Sequence, residues 1–96
     1  MILWVLYDIA DDRSRTRVAR HCKQAGLYRV QYSVFLGEVT ADERDALHLD
    51  IKDEIAEEVD KVYLFTLTKK ELKQAILMGQ AFDRKFATAE IKHLLL

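Results

Sequence analysis

Ninety-six residues are enough for one domain with a two-layer core and too few for a second. Half of them are hydrophobic and 32% are charged, the balance of an ordinary soluble globular chain. No apolar run approaches the length of a bilayer span, so neither a membrane anchor nor a signal peptide is expected.

The net charge of −1 conceals a segregation. Residues 1–37 carry +3, residues 38–60 carry −8 and residues 61–96 carry +4. Such asymmetry permits a polyanion-binding face outside the acidic middle, although ordinary solvated surfaces would produce the same totals. A single cysteine excludes an internal disulfide. Its helical spacing from Val18 points to a buried, inert thiol in a reducing, cytoplasmic compartment.

The chain opens on Ile-Leu-Trp-Val-Leu-Tyr-Asp at residues 2–8, six apolar or aromatic residues ending in one carboxylate. The run reads as a strand buried on both faces, with Trp4, Val5 and Tyr7 suited to a pleated surface. Asp8 stands out, because an ionised carboxylate at the end of a central strand needs a cation, a metal or backbone amides. A strand-final Asp ordinarily starts a turn or caps the next helix. Here Asp11 and Asp12 are better placed to cap, which leaves Asp8 without a local task.

The first helix is expected over residues 12–25, with Gly26 in the left-handed position that ends it. Val18, Cys22 and Ala25 share one face, and Arg13, Arg17 and Arg20 share nearly the opposite one, a stripe that solvent alone would satisfy. Arg15 lies at the edge of the apolar face and should fold back toward the strand end that carries Asp8. Residues 27–39 are rich in aromatic and β-branched side chains and read as two strands meeting at a tight break around residues 31–33. Gly37 is a candidate bulge.

Thr40-Ala-Asp-Glu43 matches a capping box, and Leu47, Ile51 and Ile55 continue as a helix to about Glu58 whose outer face is acidic. Residues 61–68 alternate as a half-buried strand. Residues 69–73 form a basic connection or a short turn of helix, and residues 75–82 read as a further short strand broken at Gly79. The apolar tail, approximately residues 83–96, is expected to pack on a second subunit or a partner. His21, His48 and His93 show no metal-ligand spacing.

The order β-α-β-β-α-β with an extra C-terminal strand gives an α+β, ferredoxin-like fold: one antiparallel sheet with two helices on one face, spanning residues 1–96 as a single domain. A first strand apolar on both sides needs cover on the second face too. Another copy of the same sheet would supply it, which predicts a two-fold homodimer.

Tyr7-Asp8-Ile9, then Asp-Arg-Ser-Arg-Thr-Arg-Val-Ala at residues 12–19, then Gly-Leu-Tyr-Arg-Val-Gln-Tyr-Ser-Val-Phe-Leu-Gly at residues 26–37, resembles the small adaptation subunit of CRISPR systems. This is the ferredoxin-like protein that accompanies the spacer integrase. The resemblance is dense over residues 1–39 and looser, in element order, through residues 61–80. It implies a homodimer that bridges the integrase along incoming DNA, in a family that includes metal-dependent ribonucleases and deoxyribonucleases. Position by position, it implies a metal-binding catalytic acid at Asp8 preceded by Tyr7, helix-start arginines at Arg15 and Arg17, a second-strand arginine at Arg29, and supporting Ser33 and Phe35.

Phosphodiester hydrolysis commonly uses Mg²⁺ or Mn²⁺ held by carboxylates. One chain offers a single well-placed acid, so a two-carboxylate site requires Asp8 from two subunits about a two-fold axis. Arg15, Arg17 and Arg29 would hold phosphates beside it, and Arg13 and Arg20 would meet the backbone of duplex DNA or single-stranded RNA. No general base accompanies Asp8, so cleavage should be slow. A CRISPR adaptation scaffold that binds nucleic acid, with weak or conditional endonuclease activity, is the favoured reading. A toxin-like ribonuclease on the same fold and a non-catalytic scaffold are the alternatives.

Overall fold

The computed structural model describes residues 1–82, so the expected tail at residues 83–96 lies outside the described residues. Four strands and three helices follow in the order β1 (Ile2–Asp8), α1 (Asp12–Gln24), β2 (Tyr28–Gln31), β3 (Val34–Glu38), α2 (Ala41–Glu54), β4 (Lys61–Leu67) and α3 (Lys69–Lys73). The strands make one sheet in the order β2-β3-β1-β4, and each neighbouring pair is antiparallel. This is the ferredoxin-like arrangement, with β1 at its centre.

The pleat sorts β1 between two apolar layers. Leu3, Val5 and Tyr7 face α1 and α2, where they join Val18, Ala19 and Cys22 of α1, Phe35 of β3, and Leu47 and Ile51 of α2. Ile2 and Trp4 face the other way with Leu36, Val30 and Leu67, beneath Leu72 of α3 and Phe82. The second face is therefore covered in part by the chain's own C-terminal segment, and the two-sided apolar character of β1 does not by itself demand a second copy. Phe82 meets the Trp4 ring edge-on, with centroids 6.2 Å apart.

Local chemistry sets the helix ends. Asp11 caps α1 through the Ser14 amide at 2.8 Å, and Gly26 takes the left-handed φ of 89° that closes the helix. Thr40 and Glu43 form the capping box of α2, and Thr68 and Glu71 form a second one on α3. The turn between β2 and β3 is Tyr32-Ser33, inside the expected break, and Ser33 adopts φ 61°.

Three expectations require correction. Residues 75–82 form no strand: the chain leaves α3 in irregular conformation, turns at Gly79 (φ 62°) and returns over the sheet, where the Gln31 side chain donates to the Gln80 carbonyl. The fifth strand is thus absent from the described residues, because this segment packs Phe82 on the sheet face and does not extend the ladder. Helix α2 ends at Glu54, before Glu58, since Ile55 is already extended and the Asp60 carboxylate closes a turn onto the Ala56 amide at 2.9 Å. The bulge lies between Arg29 and Gln31 of β2, not at Gly37. Gly37 serves close packing: a Cβ there would lie 2.8 Å from Leu27 Cδ2 and 3.0 Å from Leu27 Cα.

Candidate nucleic-acid and metal site

Asp8 ends β1 opposite Lys61 of β4 and is exposed. It makes no hydrogen bond or ion pair with a described residue, so water meets the charge that a buried strand end could not have held. The loop after it is fastened. Asp60, whose role the sequence reading missed, accepts the Ala10 amide at 3.1 Å through Oδ1 and the Ala56 amide through Oδ2. An Asp at the turn entering a strand is the signal that could have revealed it.

Arg15 folds back as expected. Its guanidinium donates to the Ile9 carbonyl at 3.1 Å and pairs with Asp12. Arg17 reaches across to Glu54 of α2 at 3.6 Å, and His21 stands between Glu54 (3.3 Å) and Asp50 (3.8 Å). One edge of the arginine stripe thus clamps the two helices together, while Arg13 and Arg20 remain exposed.

The candidate site residues separate into two groups, because alternation along β1 sends consecutive side chains to opposite faces. Asp8 belongs to the face of Trp4 and Leu6. Tyr7 belongs to the helix side, where its ring stacks near Phe35 at 6.3 Å and the Arg29 guanidinium lies 5.0 Å over the Phe35 ring. Burial raises the Tyr7 hydroxyl above its ordinary pKa, and the neighbouring Arg29 opposes that shift. Ser33 is close by, since its carbonyl accepts the Tyr7 amide at 3.0 Å. Tyr7, Arg15, Arg20, Lys23, Arg29 and Ser33 line one concavity of about 480 Å³ between α1 and the β2–β3 turn. The structure therefore brings Tyr7, Arg15, Arg20, Arg29, Ser33 and Phe35 together and places Asp8 on the other side of the sheet.

The resemblance implies a divalent metal, and the donors can be tested against it. Among the described residues no three His, Cys, Asp or Glu side chains gather to hold an ion. Asp60 spends both oxygens on backbone amides, whereas neither oxygen of Asp8 bonds a described residue. A single exposed carboxylate fits Mg²⁺ as one anionic ligand, because Mg²⁺ keeps most of its waters. It does not make a closed site alone.

The profile of the family described as CRISPR associated protein Cas2 matches residues 1–75. The chain belongs to the Cas2 family. It is 35% identical over 79 residues to a protein of Archaeoglobus fulgidus named CRISPR-associated endoribonuclease Cas2 1, covering 82% of this chain and 84% of that one. It is 32% identical over 91 residues to a CRISPR-associated endoribonuclease Cas2 of Desulforudis audaxviator, covering 93% and 86%. The crystal structure of Streptococcus pyogenes Cas2 at pH 6.5 superposes with a TM-score of 0.65 at 28% identity, over 82% of this chain and all of that one. Among the described residues of this Cas2 chain, no helix is long and apolar enough to cross a membrane.

Proposed function

We propose that this Cas2-family chain acts in CRISPR adaptation as a homodimeric nucleic-acid-binding subunit that holds the spacer integrase, and that it cleaves phosphodiesters slowly at Asp8. The observation that carries the reading is Asp8 itself, an exposed carboxylate at the end of the central strand with neither oxygen bonded to a described residue. Asp60, by contrast, spends both oxygens on backbone amides.

Asp8 of two protomers would hold Mg²⁺ or Mn²⁺, which supplies Lewis acidity toward the scissile phosphate when bound. Arg13 and Arg20 on α1, with Lys69, Lys70 and Lys73 on α3, would meet phosphates of RNA or DNA without reading bases. The acidic outer face of α2 repels nucleic acid and is the less suitable surface for it. No base is tied to Asp8 among the described residues to take a proton from water, so scaffolding is the main role and hydrolysis the lesser one.

Asp8→Asn tests this reading. Fold stability should stay within about 0.5 kcal/mol of the unsubstituted chain, as for other surface changes without a buried partner. Mg²⁺-dependent cleavage of single-stranded RNA and duplex DNA should fall at least about tenfold, since a neutral amide is a poor ligand for a hard cation. Spacer integration with the reconstituted integrase should persist. Retained cleavage would remove Asp8 from the chemistry, and loss of integration together with cleavage would make catalysis the role in adaptation.

A further inference from the structure

Asp8 has a cation set opposite it. The β1–β4 ladder runs without a slip from Ile2 against Leu67 to Asp8 against Lys61, so its last rung pairs an acid with a base. Residues directly opposite in an antiparallel pair project to the same face, with Cβ atoms about 4.5–5.5 Å apart. Lys61 therefore stands on the face that carries Asp8, and it is exposed. The rungs behind it on that face are Leu6 with Tyr63 and Trp4 with Phe65. On this pair of strands, charge is confined to the sheet end.

The backbone on both sides of this rung is anchored. Asp60, the residue before Lys61, accepts the Ala10 amide at 3.1 Å and the Ala56 amide at 2.9 Å. It ties the entry of β4 to the loop that follows Asp8. Arg15 holds the same loop from α1, through the Ile9 carbonyl at 3.1 Å. The charged pair above this anchored backbone is nevertheless open. No ion pair joins Asp8 to Lys61, and neither side chain bonds any other described residue. A role confined to steadying the sheet end would need the pair closed, and a closed pair at an exposed position contributes little.

We propose that Lys61 holds the phosphodiester that comes to Asp8, its ammonium donating to a non-bridging oxygen of that phosphate. A phosphate brought to Asp8 meets a carboxylate that repels it, and a cation on the adjacent strand offsets the repulsion where it is greatest. The ammonium is a compact charge on a flexible four-carbon stem, so it reaches a phosphate above the rung without any movement of the anchored backbone. Such a contact grips the backbone and reads no base, and it accepts RNA and DNA alike. The inference rests on the reading that nucleic acid is handled at Asp8 and adds a second residue to that site. The Lys61 contact itself requires no cleavage.

Binding measured on the full chain in EDTA tests the contact apart from any catalysis. Fluorescence anisotropy with labelled duplex DNA and labelled single-stranded RNA, over a range of KCl, reads the number of phosphate contacts from the slope of log affinity against log salt. Lys61→Gln should make that slope shallower by about 0.9 on duplex DNA or about 0.7 on single-stranded RNA. Lys61→Arg, which keeps a cation, should keep the original slope. Lys52→Gln, at an exposed lysine of α2 in the helix layer, should leave the slope unchanged. The urea midpoint of Lys61→Gln should match that of the unsubstituted chain. Coupling locates the phosphate. Asp8→Asn removes the charge that competes for Lys61, so Lys61→Gln should weaken binding at least about threefold more in the Asp8→Asn background than in the unsubstituted chain. An unchanged salt slope in Lys61→Gln overturns the proposal. Strictly additive effects of the two substitutions also overturn it, since they put the Lys61 phosphate away from Asp8. Mg²⁺-dependent cleavage that persists in Asp8→Asn would overturn the catalytic reading alone, because slope and coupling decide the Lys61 contact without it.

Discussion

Tyr7 and Asp8 are adjacent in the chain and separated by the sheet. Tyr7 points into the helix-side core beneath Arg29, while Asp8 stands in solvent beside Lys61. One consequence concerns Cys22, which shares that core with Tyr7 and is fully buried. Burial pushes its thiol up to about 12 from an ordinary 9.0, against a smaller opposing influence of Arg29. A raised pKa in the folded state means that the unfolded chain ionises first. The stability contributed is therefore complete below about pH 9 and is lost as pH climbs toward about 12. Urea unfolding near pH 10 should show a loss of order 1 kcal/mol that is absent from Cys22→Ala when each protein is referred to its own value near pH 8. An identical alkaline loss in both would mean that Cys22 is not the titrating group. Burial on this scale also accounts for an inert thiol, as its spacing from Val18 suggests.

At the scale of elements, the strands and helices were legible where periodicity and end chemistry agreed. β1 reads from its unbroken apolar run, α1 from Asp11 and Gly26, and α2 from Thr40 and Glu43. The second capping box, Thr68 with Glu71, repeats the same spacing and was equally readable. Apart from the early end of α2, which the local Asp60–Ala56 turn sets, the misses have a common physical source, because each depended on a partner more distant in sequence. Residues 75–82 carry strand-like composition, yet Phe82 gains more by packing against Trp4 than by lengthening the sheet. The sorting of Asp8 from Arg29 needed the register of β1 against β3, which no local pattern contains. Gly37 shows the same dependence. It lies opposite Leu3, and its missing side chain admits Leu27 from the chain entering β2. Gly37→Ala should destabilise the fold by about 1–3 kcal/mol, since Leu27 contributes backbone as well as side chain to the contact and cannot simply rotate away. The check is the urea midpoint, and an unchanged midpoint would show that the entry to β2 moves freely.

At the scale of the molecule, the described residues cover the second sheet face only in part. Leu72 and Phe82 cover the part over Ile2, Trp4 and Leu36, but Tyr63 and Phe65 on the edge strand β4 remain 51% and 50% exposed. Their rings stack 6.2 Å apart and nearly parallel. Beyond α3, Ile76 and Met78 are 84% and 79% exposed, which adds apolar surface to the same chain. Isolated apolar residues on a surface need no explanation, but a rigid aromatic pair on an edge strand marks a place where another surface can settle. The proposed homodimer would use it, and the proposed two-carboxylate site requires such a dimer, because one protomer brings only Asp8 at the end of the central strand. Light scattering at micromolar concentration should therefore give twice the 11.2 kDa of one chain. Phe65→Glu should return the protein to a monomer while preserving its helical circular dichroism. The new carboxylate is hydrated on a lone protomer, but without a cationic partner it would cost about 3–5 kcal/mol if buried at the interface. A monomeric wild type would rule out the dimer, and with it the paired Asp8 site. A Phe65→Glu protein that stays dimeric would move the contact away from the β4 aromatic pair.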